Sequence, residues 1–167
     1  QAQSSPPAAV VLTSVAAGSR HTCGLVADGT PRCWGSNDRG QLSPPLGVRF
    51  DALSAGNGHS CGVALGGTLL GRGSNASGQT AAPPGAFSAV SAGSDHTCAI
   101  RPDGRLQCWG LDRDGQATPP PALNGVEVVE VSAGYRNTCA VVAGGGLVCW
   151  GAGDFGQLPA PDGGAWQ

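Results

Sequence analysis

The chain has 167 residues, a net charge of −2 at pH 7, 40% hydrophobic residues and only 12% charged ones. All nine basic residues are Arg and they form no face or stripe, which argues against nucleic-acid binding. Gly 29 and Pro 13 are high, and no apolar run is long enough to cross a bilayer; short strands and turns are expected rather than helices or a membrane span.

In chain order, the first signal is Gln3, three residues before Pro6-Pro7, as Gln41 lies three before Pro44-Pro45. Residues 1–9 therefore read as the closing loop of an earlier unit. Four matched units follow, over about 10–47, 48–84, 85–122 and 123–158. Each carries Ala-Gly, then His or Asn, Cys and Gly-Gln in fixed register: Ala17-Gly18, His21, Cys23 and Gly40-Gln41 in the first. The first cysteines of successive units are 38, 37 and 41 residues apart, a period that means a solenoid, a propeller or an array. Residues 159–167 form an overhang, where Trp166 lies nine after Gln157 as Phe50 lies nine after Gln41, the opening strand of a further unit. The whole of 1–167 reads as one repeat domain. It is a window on a longer array, or a small subunit that pairs its open edges with other copies.

Within a unit four short strands are predicted, in the third near 87–92, 96–101, 105–110 and from 116 to the Pro run 119–121. Cys23 and Cys33, Cys98 and Cys108, and Cys139 and Cys149 are each ten apart. Zinc-ligand pairs sit closer, whereas ten residues span a hairpin, and Asp28-Gly29 and Asp103-Gly104 stand where its turn belongs. Cross-strand disulfides and a secreted or extracellular location follow; the alternative is three pairs of reduced, buried thiols. In the second unit Gly71 and Arg72 replace the Cys and Trp found at Cys33-Trp34, Cys108-Trp109 and Cys149-Trp150. Cys61 therefore has no partner in its hairpin and is a buried free thiol or an intermolecular bridge.

His-Thr-Cys, Asp-Gly, Cys-Trp-Gly, then Gly-Gln and a Pro-rich connection resemble the repeats of the regulator of chromosome condensation family. The resemblance covers nearly all of 10–158. It implies a β-propeller, typically of about seven blades. The paired cysteines are similar to those of crinkly-type receptor kinase ectodomains. Gln116 to Pro119, followed by Gly125-Val126, resembles the propeller-type β-lactamase inhibitor. The expected fold is all-β, a propeller-type array of four four-stranded blades in a partial or open ring with intra-blade disulfides.

Repeated positions then read as scaffold. His21, His59 and His96 each hydrogen-bond the neighbouring blade rather than a metal, and Trp34, Trp109 and Trp150 are core. Asp112-Arg113-Asp114 is a turn, not a calcium loop, and no nucleophile has an activating base. No cofactor, no metal and no catalysis are expected. Asn75 opens an Asn-Ala-Ser glycosylation pattern in an exposed loop.

Recognition is expected where the repeat is irregular. One set follows each Ala-Gly: Ser19, Arg20, Asn57, Ser94, Asp95, Tyr135 and Arg136. The other precedes each Gly-Gln: Asp38, Arg39, Asp112, Arg113, Asp114, Asp154 and Phe155. In the inhibitor that this chain resembles, such loops share one face and grip the partner. Three functions are expected: a recognition module for a protein or peptide, a structural subunit assembling through open blade edges, or an inhibitor of a secreted enzyme.

Overall fold

A computed structural model describes residues 10–158; Gln3, Pro6, Pro7, Pro159, Pro161, Trp166 and the expectations resting on them lie outside that span. The described residues form twelve strands in four antiparallel sheets. Blade one holds β1 (Ser14–Ala17), β2 (His21–Leu25) and β3 (Pro31–Gly35). Blade two holds β4 (Phe50–Ala55), β5 (His59–Ala64) and β6 (Leu69–Gly73). Blade three holds β7 (Ala89–Ala92), β8 (His96–Ile100) and β9 (Leu106–Gly110), and blade four β10 (Val128–Ala133), β11 (Asn137–Val142) and β12 (Leu147–Gly151). The sheets pack in chain order, each on the next, in a propeller-like arrangement in which no sheet closes on itself.

Local chemistry fixes each hairpin. Asp28 Oδ1 accepts the Thr30 N–H at 2.9 Å, and Asp103 Oδ1 accepts the Arg105 N–H at 3.1 Å. The Gly after each Asp takes a positive φ, 81° at Gly29 and 79° at Gly104, which a side chain would strain. This turn sets the register in blades one and three, so Cys23 faces Cys33 and Cys98 faces Cys108; in blade four, where Gly144 and Gly145 make the turn, Cys139 faces Cys149, and all three pairs are bonded. Cys61 faces Gly71 and is free and buried.

The expected fourth strand of each blade is absent: the described blades have three strands. Around Gln116 the chain turns, and the Gln116 backbone carbonyl is already taken. The Gln116 carbonyl receives the Thr138 hydroxyl at 2.8 Å and the Trp150 indole N–H at 3.0 Å, both from the next blade. Asp112 Oδ1 accepts the Ala117 N–H, and the prolines that follow have no N–H to give.

The core lies between blades. Leu25 and Phe50 meet at the first seam, Val63, Leu69, Phe87 and Ala99 at the second, and Ile100, Leu123, Val128, Ala140 and Trp150 at the third. Every residue of β2 and β8 is buried, each strand lying between two others of its own sheet.

Candidate recognition surface

The inner end of each blade is shaped by its Ala-Gly turn. A Cβ on Gly93 would strike the Gly134 carbonyl and the His96 ring, so only Gly lets the strands come this close. Backbone bonds then tie turn to turn, Ser19 N–H to the Gly56 carbonyl at 3.2 Å and Ser94 N–H to the Gly134 carbonyl at 3.1 Å. Together the four turns line one central concavity of about 360 Å³, with Ser19, Asn57, Ser94 and Tyr135 in its wall.

Beneath the turns runs a repeated polar clasp. His21 Nε2 lies 2.8 Å from the Ser60 hydroxyl, His59 Nε2 3.0 Å from that of Thr97, and His96 Nε2 2.9 Å from that of Thr138. Each hydroxyl donates its hydrogen to a Gln carbonyl, Ser60 to Gln41, Thr97 to Gln79 and Thr138 to Gln116. The hydroxyl oxygen must therefore accept from the ring, which puts the imidazole proton on Nε2. The expectation that each His bonds the neighbouring blade is met. Burial lowers all three His pKa values and brings that of His59 to about 4. The hydroxyl partners were missed in the sequence. Their signal was there, as Thr or Ser follows every His or Asn and precedes every first Cys.

The two variable sets meet across the blade boundaries. Asp114 of the third unit takes Arg136 of the fourth, through Nε at 2.8 Å, and Arg136 Nη1 lies 3.5 Å from Asp154. The Arg136 guanidinium holds the Asp114 carboxyl below its usual range, and the carboxyl raises the Arg in turn. Arg39 lies over Gly58 and donates to the Ser74 hydroxyl at 3.2 Å. Asp95 is half-buried and accepts from the Gln79 amide at 3.2 Å and from the Ser94 hydroxyl at 2.9 Å. Ser94 itself is buried. Exposed are Ser19, Arg20, Asp38, Arg39, Asn57, Asp112, Arg113 and Asp154. The apolar members are concentrated on the fourth unit: Tyr135 is 74% exposed and Phe155 94%.

Two other singled-out residues stand apart. Asn75 is exposed, and its Oδ1 accepts the Thr80 N–H at 3.0 Å. Cys61 is buried with Sγ 3.8 Å from the Thr97 hydroxyl, and burial pushes its thiol up to about 12. A sulfur so placed meets a partner's cysteine only if the seam opens. Among the described residues, no group of three His, Cys, Asp or Glu side chains is placed to hold a metal ion.

Stacked three-stranded blades joined through buried clasps, with their Ala-Gly turns around one concavity, define a β-propeller repeat protein. Residues 12–41, 87–116 and 128–157 match the regulator of chromosome condensation (RCC1) repeat, together more than half of the sequence, and the chain belongs to that family. The second unit, with Gly71 and Arg72, is not among the matched spans. The CRINKLY ectodomain of the Arabidopsis thaliana receptor kinase ACR4 is similar at 30% identity and a TM-score of 0.69, over 87% of this chain and 51% of that one. Human WBSCR16 is similar at 21% identity and a TM-score of 0.79, over 89% and 50%. Yeast RCC1 (Prp20), solved with Kap60 bound, is similar at 20% identity and a TM-score of 0.76, over 89% and 45%. This chain thus spans about half the length of these structures. No curated protein sequence matches it. Three disulfides point to an oxidising compartment, and among the described residues no helix is long and apolar enough to cross a membrane.

Proposed function

We propose that the chain is a secreted, non-catalytic propeller module that recognises a protein or peptide through its variable loops. One observation carries this reading. Uniform residues are largely buried in the seams, whereas most irregular ones are exposed, and Ser19, Asn57 and Tyr135 among them stand in the wall of the concavity that the Ala-Gly turns line. Tyr135 and Phe155 supply the apolar anchors, since exposed aromatics dominate binding energy at interfaces. The charged residues of the variable loops, Arg20, Arg39, Asp112, Arg113, Arg136 and Asp154, set orientation and selectivity. Inhibition of a secreted enzyme is a special case of the same loop recognition. Asn75 presents its loop for glycosylation in a host that carries out that chemistry.

The test is affinity capture from the extracellular fluid of the source organism, with the oxidised chain as bait. A variant with Arg20, Asn57, Tyr135 and Phe155 all changed to Ala serves as control. The reading expects a protein retained by the native chain and lost by the variant at unchanged circular dichroism. Equal retention by both overturns it.

A structural role is the second reading, favoured by exposed Val15 on β1 of the first blade and Val129 on β10 of the last, at 65% and 55%. Light scattering on the unreduced protein separates the two, because assembly through blade edges requires a defined oligomer or polymer and loop recognition accommodates a monomer.

A further inference from the structure

Two of the three seams between blades are completed by an indole. Trp109 Nε1 donates to the Gln79 carbonyl at 3.0 Å, and Trp150 Nε1 to the Gln116 carbonyl at 3.0 Å. Trp109 packs against Phe87 with ring centroids 6.1 Å apart, and Trp150 packs among Ile100, Val128 and Ala140.

The seam between the first and second blades has the same clasp without the indole. Arg72 faces Ser60 across the sheet, as Trp109 faces Thr97 and Trp150 faces Thr138. Arg72 does not stand in for the ring. It is exposed, and its hydrogen bond goes back to the carbonyl of the adjacent Gly71, at 3.2 Å. The Gln41 carbonyl receives the Ser60 hydroxyl at 2.9 Å, and among the described residues no N–H fills its second lone pair. Beside that carbonyl lies an almost wholly apolar slot, walled by Pro45, Phe50, Leu53, Leu70 and the Cys23–Cys33 disulfide, with Arg72 at its edge.

We propose that this slot takes a planar aromatic group bearing an N–H donor, namely the indole of a tryptophan on a partner protein. The chain itself shows the occupant. It seats an indole at the same register in the next two seams, each time on the equivalent Gln carbonyl. A flat ring is the shape that the two equivalent seams accept, each holding its Trp against the Gln carbonyl. Arg72 is the wall able to move, and its guanidinium then stacks on the inserted ring as a cation on a π face. The slot lies in a seam rather than on the variable loops, so this inference stands whether or not those loops bind a partner.

The test is a titration of the oxidised, ¹⁵N-labelled chain with N-acetyltryptophanamide, followed by amide shifts, and repeated with the analogue methylated on the indole nitrogen. The expected result is saturable shifts centred on Gln41, Leu53, Ser60 and Gly62, with several-fold weaker binding of the methylated probe. Arg72→Trp places an indole in the slot from within the chain, so it is expected to raise the thermal midpoint and abolish binding. No saturable shift in the native chain, shifts confined to the loop residues, or equal binding by Arg72→Trp overturns the inference. Should Arg72→Trp fail to fold, the native shift map and the methylated probe decide it without the variant.

Discussion

At the residue scale, the His-to-hydroxyl-to-carbonyl clasp makes the fold sensitive to acid. His59 has an ordinary value of 6.5 and a folded value of about 4, lowered first by burial; Asp95 opposes the shift, while His21 and His96 add to it. His21 is lowered by burial as well, as is His96, where Asp112 and Asp95 oppose the effect. A base with a depressed folded pKa leaves the unfolded chain binding more protons below 6.5. Stability is then complete above about 6.5 and falls as the pH drops toward 4. At 1.36 kcal/mol per pKa unit, His59 alone accounts for about 3 kcal/mol across that window. Asp28 and Asp114, held below 3.8, weaken the fold only in stronger acid, so they leave this window clear. Urea unfolding at pH 7 and pH 4.5 checks this. The midpoint should fall clearly at the lower pH, and a midpoint that does not move contradicts the clasp.

At the scale of the element, the hairpin is the unit that the disulfide secures. A bridge across ten residues removes little loop entropy, so losing one costs about 2–3 kcal/mol on the chain-entropy account. The double variant Cys98→Ser, Cys108→Ser should therefore melt earlier yet keep the β-sheet circular dichroism spectrum, because strands β8 and β9 stay paired through the Asp103-Gly104 turn. Loss of the spectrum at room temperature would show that the bridge, not the turn, sets the register. The hairpins were legible because turn chemistry and cysteine spacing act locally. The fourth strand was misread because its fate depends on the next unit: Thr138 and Trp150 occupy the Gln116 carbonyl, and no local signal reveals that. Blade two shows the same dependence. A Cβ at Gly71 would come within 2.7 Å of the Thr80 backbone oxygen, so the closing loop has settled into the space that a cysteine would need.

At the scale of the molecule, four blades stack because each leaves half of a clasp for its neighbour. The sequence showed which positions repeat, and the structure turns that into a division of labour. The uniform His, Thr, Cys and Gln residues are largely buried, and most of the irregular residues are exposed, with Ser19, Asn57 and Tyr135 at the concavity. Ser94 departs from this pattern. It lies in an irregular set and is nevertheless buried, with its N–H on the Gly134 carbonyl and its hydroxyl on Asp95. The candidate surface was therefore legible as a set of loops, but not in its details. Pairs such as Arg136 with Asp114 span 22 residues and form only once adjacent blades are in place.

Thermal unfolding of two variants, measured side by side with the native chain, tests that division most directly. One carries Ala at Arg20, Asn57, Tyr135 and Phe155; the other is His96→Ala, which leaves the Thr138 hydroxyl without its donor. The loop variant should melt within a degree or two of the native chain, since exposed substitutions usually cost no more than about 0.5 kcal/mol. His96→Ala should melt roughly 5–10 °C lower, given about 2–3 kcal/mol for the lost bond and cavity and about 2–4 °C per kcal/mol at this size. A loop variant that melts as early as His96→Ala, or a His96→Ala chain as stable as the native one, would contradict the division between seam and surface.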